Sequence, residues 1–227
     1  MATAHPKPEL HWVRPPRQAR SQETLDRILD AAEALVAEKG FEDTPVSEIV
    51  QRAGSSVGAF YARFHDKDGL LHALYERYYE EAVATADVAL APARWKGARV
   101  AELVPVVIRF LVSIFRERHG LMRAFVVRNH THPEFQARQQ RLSHHVIERL
   151  GTLVLARRDE IAHPDPARAT RFALLLVFSA LESLILFGEM RSSLLSFSDA
   201  DLAAELSRST LAYLGAATFE KPAAPAA

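Results

Sequence analysis

Three arginines, Arg14, Arg17 and Arg20, stand in a stretch where Glu9 is the sole acid before residue 21. Two hydroxyl residues, Thr44 and Ser56, fall where short helices would begin, and there hydroxyl and backbone N–H donors can meet an anionic oxygen together. Cations combined with exposed N–H and O–H donors are the chemistry of phosphate recognition along a nucleic-acid backbone. Beside Ser56 lie Ser55, Val57 and Ala59, all small. A valine or alanine can meet a thymine methyl and a serine can donate or accept, but none is a strong bidentate reader of a base edge. Gly58 omits a side chain at the helix start, allowing close approach to a backbone or a neighbouring helix.

The elements that must hold these residues are legible between Thr44 and Leu70. Thr44 reads as an N-cap with Pro45 at the first helical position, where a missing N–H costs nothing. Val46, Ile49 and Val50 follow at helical spacing. Gly54 supplies the left-handed residue that ends the helix. Ser56 then caps a second helix over Val57–Phe64, in which Phe60 and Phe64 share the inner side. Two short helices about a glycine turn form a helix-turn-helix, whose second helix enters the major groove.

The run Ser56, Gly58, Phe60, Tyr61, Phe64 and Lys67, read as S-x-G-x-(aromatic)-Y-x-x-F-x-x-K, resembles the DNA-binding signature of the TetR family of bacterial regulators. The preceding helix, Gln22 to Lys39 closed by Gly40-Phe41, is similar to that family's first helix, so the likeness covers roughly residues 21–75. The resemblance implies phosphate contacts from Tyr61 and Lys67, commonly joined by a polar residue at the position of Arg63. It also implies a homodimer, a C-terminal ligand domain and release from DNA on ligand binding. Ser55 stands where the family often has an apolar residue, and Val57 and Ala59 occupy frequently polar positions. The expected DNA contacts are thus Arg17, Arg20, Thr44, Ser55, Ser56, Val57, Gly58, Ala59, Tyr61, Arg63 and Lys67, with core packing the alternative for Tyr61.

A chain of 227 residues, 48% hydrophobic and 25% charged, has room for a substantial core. Its formal net charge is zero, so any attraction for a polyanion must come from one face. There is no cysteine, which excludes disulfides and thiol chemistry. Residues 1–20 are proline-rich and without an apolar core segment, so cytoplasmic placement is expected. They read as a flexible basic arm, reaching DNA or serving merely as a tail. The run Phe172 to Phe187 is 16 residues long with Glu182 inside it, too short and too acidic for a membrane span. It reads as a helix buried in protein on several sides.

The rest predicts an all-α protein of about nine helices: a three-helix domain over 21–68, a ligand-binding and dimerisation domain over 69–216, and a Pro/Ala-rich tail over 217–227. Helices are expected from Asp66 to about Leu90, Arg99–Arg118, Leu121–Asn129, Pro133–Arg158, about 167–191 and 199–215. The last two are apolar enough to pair with their twins in a four-helix bundle. The expected partners are pseudo-palindromic double-stranded operator DNA, a second copy of the chain and a small apolar effector. A pocket would be lined by Phe110, Ile114, Phe125, Val126, Leu142, Val146, Leu175 and Phe178, with Trp95, Arg109, Ser113, His145 and Ser179 as anchors. Glu182 is read as a paired or interface charge, or else a pocket acid. No cofactor or metal is expected, since the helices carry no i, i+4 histidine pair, and His144 and His145 diverge by about 100°. A helical-bundle enzyme would need a nucleophile elbow, phosphate loop or HExxH motif, and none is present. The remaining alternative is an adaptor with a vestigial helix-turn-helix.

Overall fold

The computed structural model describes residues 19–129, 133–188 and 197–216, which form nine α-helices and no strand. They are α1 (Ala19–Lys39), α2 (Val46–Arg52), α3 (Val57–Tyr61), α4 (Lys67–Ala89), α5 (Val100–Glu117), α6 (His119–Asn129), α7 (Pro133–Leu155), α8 (Pro166–Leu181) and α9 (Asp199–Leu214). A π-helical turn, Glu182–Leu186, prolongs α8.

Local chemistry explains the breaks. Gly40 (φ +84°) and Gly54 (φ +58°) end α1 and α2 in the left-handed region. At Gly54 the Ser55 N–H donates to Val50 O and the Gly54 N–H to Gln51 O, a paired closure of the last turn. Ser56 Oγ accepts from the Ala59 N–H at 3.1 Å, and Asp66 Oδ1 from the Gly69 N–H at 2.8 Å, so both side chains cap as expected. The Gly69 N–H holds the Asp66 carboxyl below its ordinary range. Helix α3 is shorter than the expected Val57–Phe64. Its hydrogen bonds nevertheless continue, Ala62 N–H to Gly58 O and Phe64 N–H to Phe60 O, so Phe64 still sits one turn beyond Phe60.

Thr44 departs from expectation. Pro45 occupies the cap position of α2, and the Thr44 hydroxyl donates instead to Gly40 O at 2.7 Å. A hydroxyl that donates backwards across the α1–α2 turn is not an acceptor for the α2 amides.

Apolar burial falls into two clusters. One joins α1, α2 and α3 to the first turns of α4 and to Leu121, Ala124, Phe125 and Phe135. The other is built from α5, α7, α8 and α9 with the far end of α4. Helix α4 therefore belongs to both, and at 1.5 Å per residue it is a rod of about 34 Å running between them. Packing does not break near residue 68: Leu70, Leu71, Leu74 and Tyr75 are completely or almost completely buried in the first cluster. Buried Arg138 fastens α7 to α4, pairing with Glu76 at 2.9 Å and donating to His72 Nδ1 at 2.7 Å, while His72 stacks on Phe135. Helix α6 lies close against α1. A Cβ on Gly120 would stand 2.5 Å from Val36 O, so glycine is what allows the contact.

Candidate nucleic-acid interface and adjoining cavity

The three-helix unit holds α3 from behind. Phe60 and Phe64 are wholly buried with ring centroids 5.0 Å apart, and Ile49 and Val50 of α2 are buried with them. What remains outside is the set that sequence assigned to DNA: Ser56, Val57, Gly58 and Tyr61 are exposed, and Ser55, Ala59, Arg63 and Lys67 are half-buried. Tyr61 is 52% exposed and meets the Phe60 ring only edge-on, so it lies at the surface, contrary to the core-packing alternative.

Gly58 is informative. A Cβ there would meet nothing but Ser56 Oγ at 3.9 Å, and its φ is not positive. Neither folding strain nor a neighbouring helix asks for glycine at this position, so only an external surface would feel the missing methyl.

Lys67 has a structural duty as well. Its ammonium donates to Glu42 O at 3.1 Å and lies 4.4 Å from the Phe41 ring centroid, and desolvation lowers its pKa. An ammonium carries three donors, and this bond uses one. Thr44 is corrected: it is wholly buried with its hydroxyl on Gly40 O, so its side chain is not offered to a phosphate. Arg17 lies outside the described residues, and of Arg20 only the backbone within α1 is described.

Beyond this unit, α4, α5, α7 and α8 enclose a cavity of about 340 Å³. Its apolar wall includes Phe110, Leu111, Ile114, Phe115, Leu142, Val146 and Phe178, so Phe110, Ile114, Leu142, Val146 and Phe178 of the expected set border this cavity. The other eight expected residues do not line it, exposed Leu175 and half-buried Val126 among them. Trp95 donates its indole N–H to Ala89 O at 2.9 Å and packs on the outer core. Arg109 and Ser179 are exposed, and Ser113 turns its hydroxyl onto Phe110 O. Phe125 belongs to the N-terminal core, 4.6 Å from the Tyr75 ring. His145 pairs with Asp87 at 3.0 Å. Glu182 is exposed and does not line the cavity, which removes the pocket-acid alternative.

The cavity's polar groups are ones the sequence did not reveal: Tyr78, Glu81, Thr85, Glu117, Arg118, Gln139 and Ser143. Burial pushes the Tyr78 phenol up to about 12. Arg118 is the most connected of them. Its guanidinium reaches Glu81 at 3.2 Å and also pairs with Glu33 of α1, which Arg77 of α4 holds too. One lining residue of the cavity thus grips the helix against which α2 packs. A sequence signal for this space does exist. Ala82, Thr85, Ala86 and Ala89 recur along one face of α4, and small residues opposite Phe110 and Ile114 leave room.

Among the described residues no group of three metal-ligating side chains converges. His144 faces Glu148 one turn on, and His130 and His132 lie outside the described residues.

Comparison with known proteins bears on this arrangement. Residues 28–74 match the model of the bacterial regulatory proteins of the tetR family. An uncharacterized HTH-type transcriptional regulator of Bacillus subtilis, YvdT, is 39% identical over 51 residues, 22% of this chain and 26% of its own. The chain thus matches about a quarter of the length of that relative. Whole-chain likeness comes from solved structures. A putative TetR-family regulator from Mesorhizobium loti superposes with TM-score 0.68 at 19% identity, over 87% of this chain and 98% of the other. The regulator FadR from Bacillus subtilis, solved in complex with stearoyl-CoA, gives TM-score 0.58 at 21% identity, over 83% and 96%. The helix-turn-helix region, residues 28–74, is thus matched in sequence to the tetR family of bacterial regulatory proteins, and the nine-helix frame has the fold of solved TetR-family regulators.

Proposed function

We propose that this protein is a ligand-responsive transcriptional repressor: a homodimer that docks α3 on operator DNA and leaves it when a small, largely apolar effector fills the cavity. The observation that carries the reading is the exposed face of α3. It presents donors and small side chains around a glycine that nothing inside the molecule requires. Docking is through phosphate, with Tyr61, Arg63 and Lys67 flanking the small residues Ser55, Ser56, Val57 and Ala59.

The homodimer is supported by α8. Phe172, Leu175, Leu176, Ser179 and Glu182 are all exposed at helical spacing, with Leu175 56% and Leu176 50% exposed. Tyr213 of α9 stands 5.5 Å from the Phe172 ring and extends the patch. Much of the apolar surface of Pro166–Leu186 is thus not buried, so one chain leaves an apolar stripe uncovered. A second copy, meeting it about a two-fold axis, covers the stripe and sets two α3 helices about 34–36 Å apart, or a multiple of that, for a pseudo-palindrome.

Communication needs only that the effector prefer the DNA-incompetent spacing. Helix α4 forms a wall of the cavity and a wall of the DNA-binding core, and Arg118 ties the cavity to α1, so a change in cavity shape reaches both.

The test is an electrophoretic shift with a pool of duplexes from genomic DNA, with bound fragments sequenced and the shift repeated with candidate effectors. Retention of a discrete, pseudo-palindromic set is expected. No retained fragment, or retention indifferent to salt, contradicts the reading.

A further inference from the structure

We propose that the cavity takes a hydrophobic cation, an alkyl- or arylammonium, with Glu81 and Glu117 as its counter-charges. This rests on the reading of the cavity as the effector site and adds the chemical class of the effector.

The lining includes four aromatic side chains, Tyr78 of α4, Phe110 and Phe115 of α5 and Phe178 of α8. Ring faces attract a desolvated ammonium as well as an alkyl group. Two carboxylates, Glu81 and Glu117, reach the same space, and Arg118 is the one cation among the described lining residues. Arg118 is not available to an anion. It is already held between Glu33 and Glu81, and the neighbouring Arg77 is held by Asp30 and Glu33. The charged residues lining the cavity are therefore two acids, Glu81 and Glu117, against one guanidinium, Arg118, which is itself shared with Glu33 outside it. The Glu117 carboxylate is exposed and has no ion-pair or hydrogen-bond partner among the described residues, so it is open to an incoming cation. A carboxylate or phosphate entering here would have to expel an acid from Arg118 and lie beside Glu117. An ammonium meets the opposite field.

Binding would carry a consequence. A cation seated on Glu81 takes one of the two partners of Arg118, and the other partner is Glu33 of α1. Occupancy then leaves Arg118 to Glu33 alone and changes the ion pairs that join α4 and the cavity to the DNA-binding core.

The experiment is isothermal calorimetry on the full chain with three probes of equal tail: decyltrimethylammonium, decanol and decanoate, all below micelle formation. The cation is expected to bind about tenfold more tightly than the alcohol, the combined worth of an aromatic cage and a partly exposed charge pair. Glu117→Gln and Glu81→Gln should each weaken the cation about fivefold and leave the alcohol unchanged. Glu117→Gln removes no contact within the protein, so it keeps the test valid if Glu81→Gln unfolds. Decanoate equal to or tighter than the cation, cation affinity indifferent to both substitutions, or no binding of any probe overturns the proposal. Operator binding measured on the same preparations separates that outcome from failure of the regulator reading, which would abolish the DNA shift itself.

Discussion

Substituting Gly58 by alanine separates the demands of folding from those of docking. The added methyl would lie 3.9 Å from Ser56 Oγ, an ordinary van der Waals distance, with no other atom within reach. Backbone φ there is not positive, so alanine adopts it without strain. Replacing glycine by alanine at a compatible helical site stabilises by about 0.5 kcal/mol, mostly by restricting the unfolded chain. For a chain of this size that is a rise of roughly 1–2 °C in Tm. DNA binding should move the other way. If the α3 start packs against the duplex, a methyl forced into that contact costs at least about 1 kcal/mol per half-site. Two half-sites in a two-fold dimer give about 2 kcal/mol, roughly a 30-fold loss of affinity. Calorimetric Tm and fluorescence anisotropy with a selected operator read the two effects on one preparation. Affinity within twofold of wild type would refute close approach of this face. A Tm lowered by several degrees would refute the claim that the protein itself leaves space there.

Gly120→Ala tests the opposite situation: its Cβ would stand 2.5 Å from Val36 O, a backbone atom, so α6 must move off α1. A loss of about 1–3 kcal/mol is expected, seen as a Tm lowered by several degrees, and an unchanged Tm would contradict the packing. Leu176→Glu places a charge on the exposed stripe of α8, and sedimentation should show a folded monomer with greatly weakened operator binding; a persistent dimer would move the interface elsewhere. Tyr78, held near 12 against about 10 in the unfolded chain, keeps its proton more tightly when folded. Its contribution is complete below pH ~10 and is lost as pH rises through about 12. An absorbance titration in which Tyr78→Phe removes no late-ionising phenol would contradict that burial.

How much the sequence discloses follows from what each signal encodes. The helix-turn-helix is legible because cap, turn glycine and buried aromatic pair are all local: Ser56, Gly54, Phe60 and Phe64 act within one or two turns of each other. Thr44 misleads for the same reason. A threonine before Pro45 reads as a cap, and only the tight return of the chain past Gly40 turns its hydroxyl backwards. The cavity is half legible. Phe110 and Ile114 continue the apolar stripe of α5, while Arg109 and Ser113 lie one position away from those residues, about 100° around the helix. Phe125 falls in the N-terminal cluster rather than the cavity because apolar spacing gives a helix face but not its partner. Glu81, Glu117 and Arg118 are invisible in sequence, since charges on an amphipathic helix read as a solvated surface whether or not they border a cavity. The apolar run of α8 reads as burial on several sides. One chain leaves a stripe of it open, and in the proposed dimer a second copy supplies the missing side.

The central claim, that α3 docks on the phosphates of duplex DNA, is tested most directly by the salt dependence of operator affinity for wild type and Arg63→Ala. The account predicts that log K falls steeply and linearly with log[salt] for wild type. The slope should be smaller by about 2 in the variant, because each α3 of the dimer then neutralises one phosphate fewer. A slope unchanged by the substitution, or an affinity indifferent to salt, would contradict it.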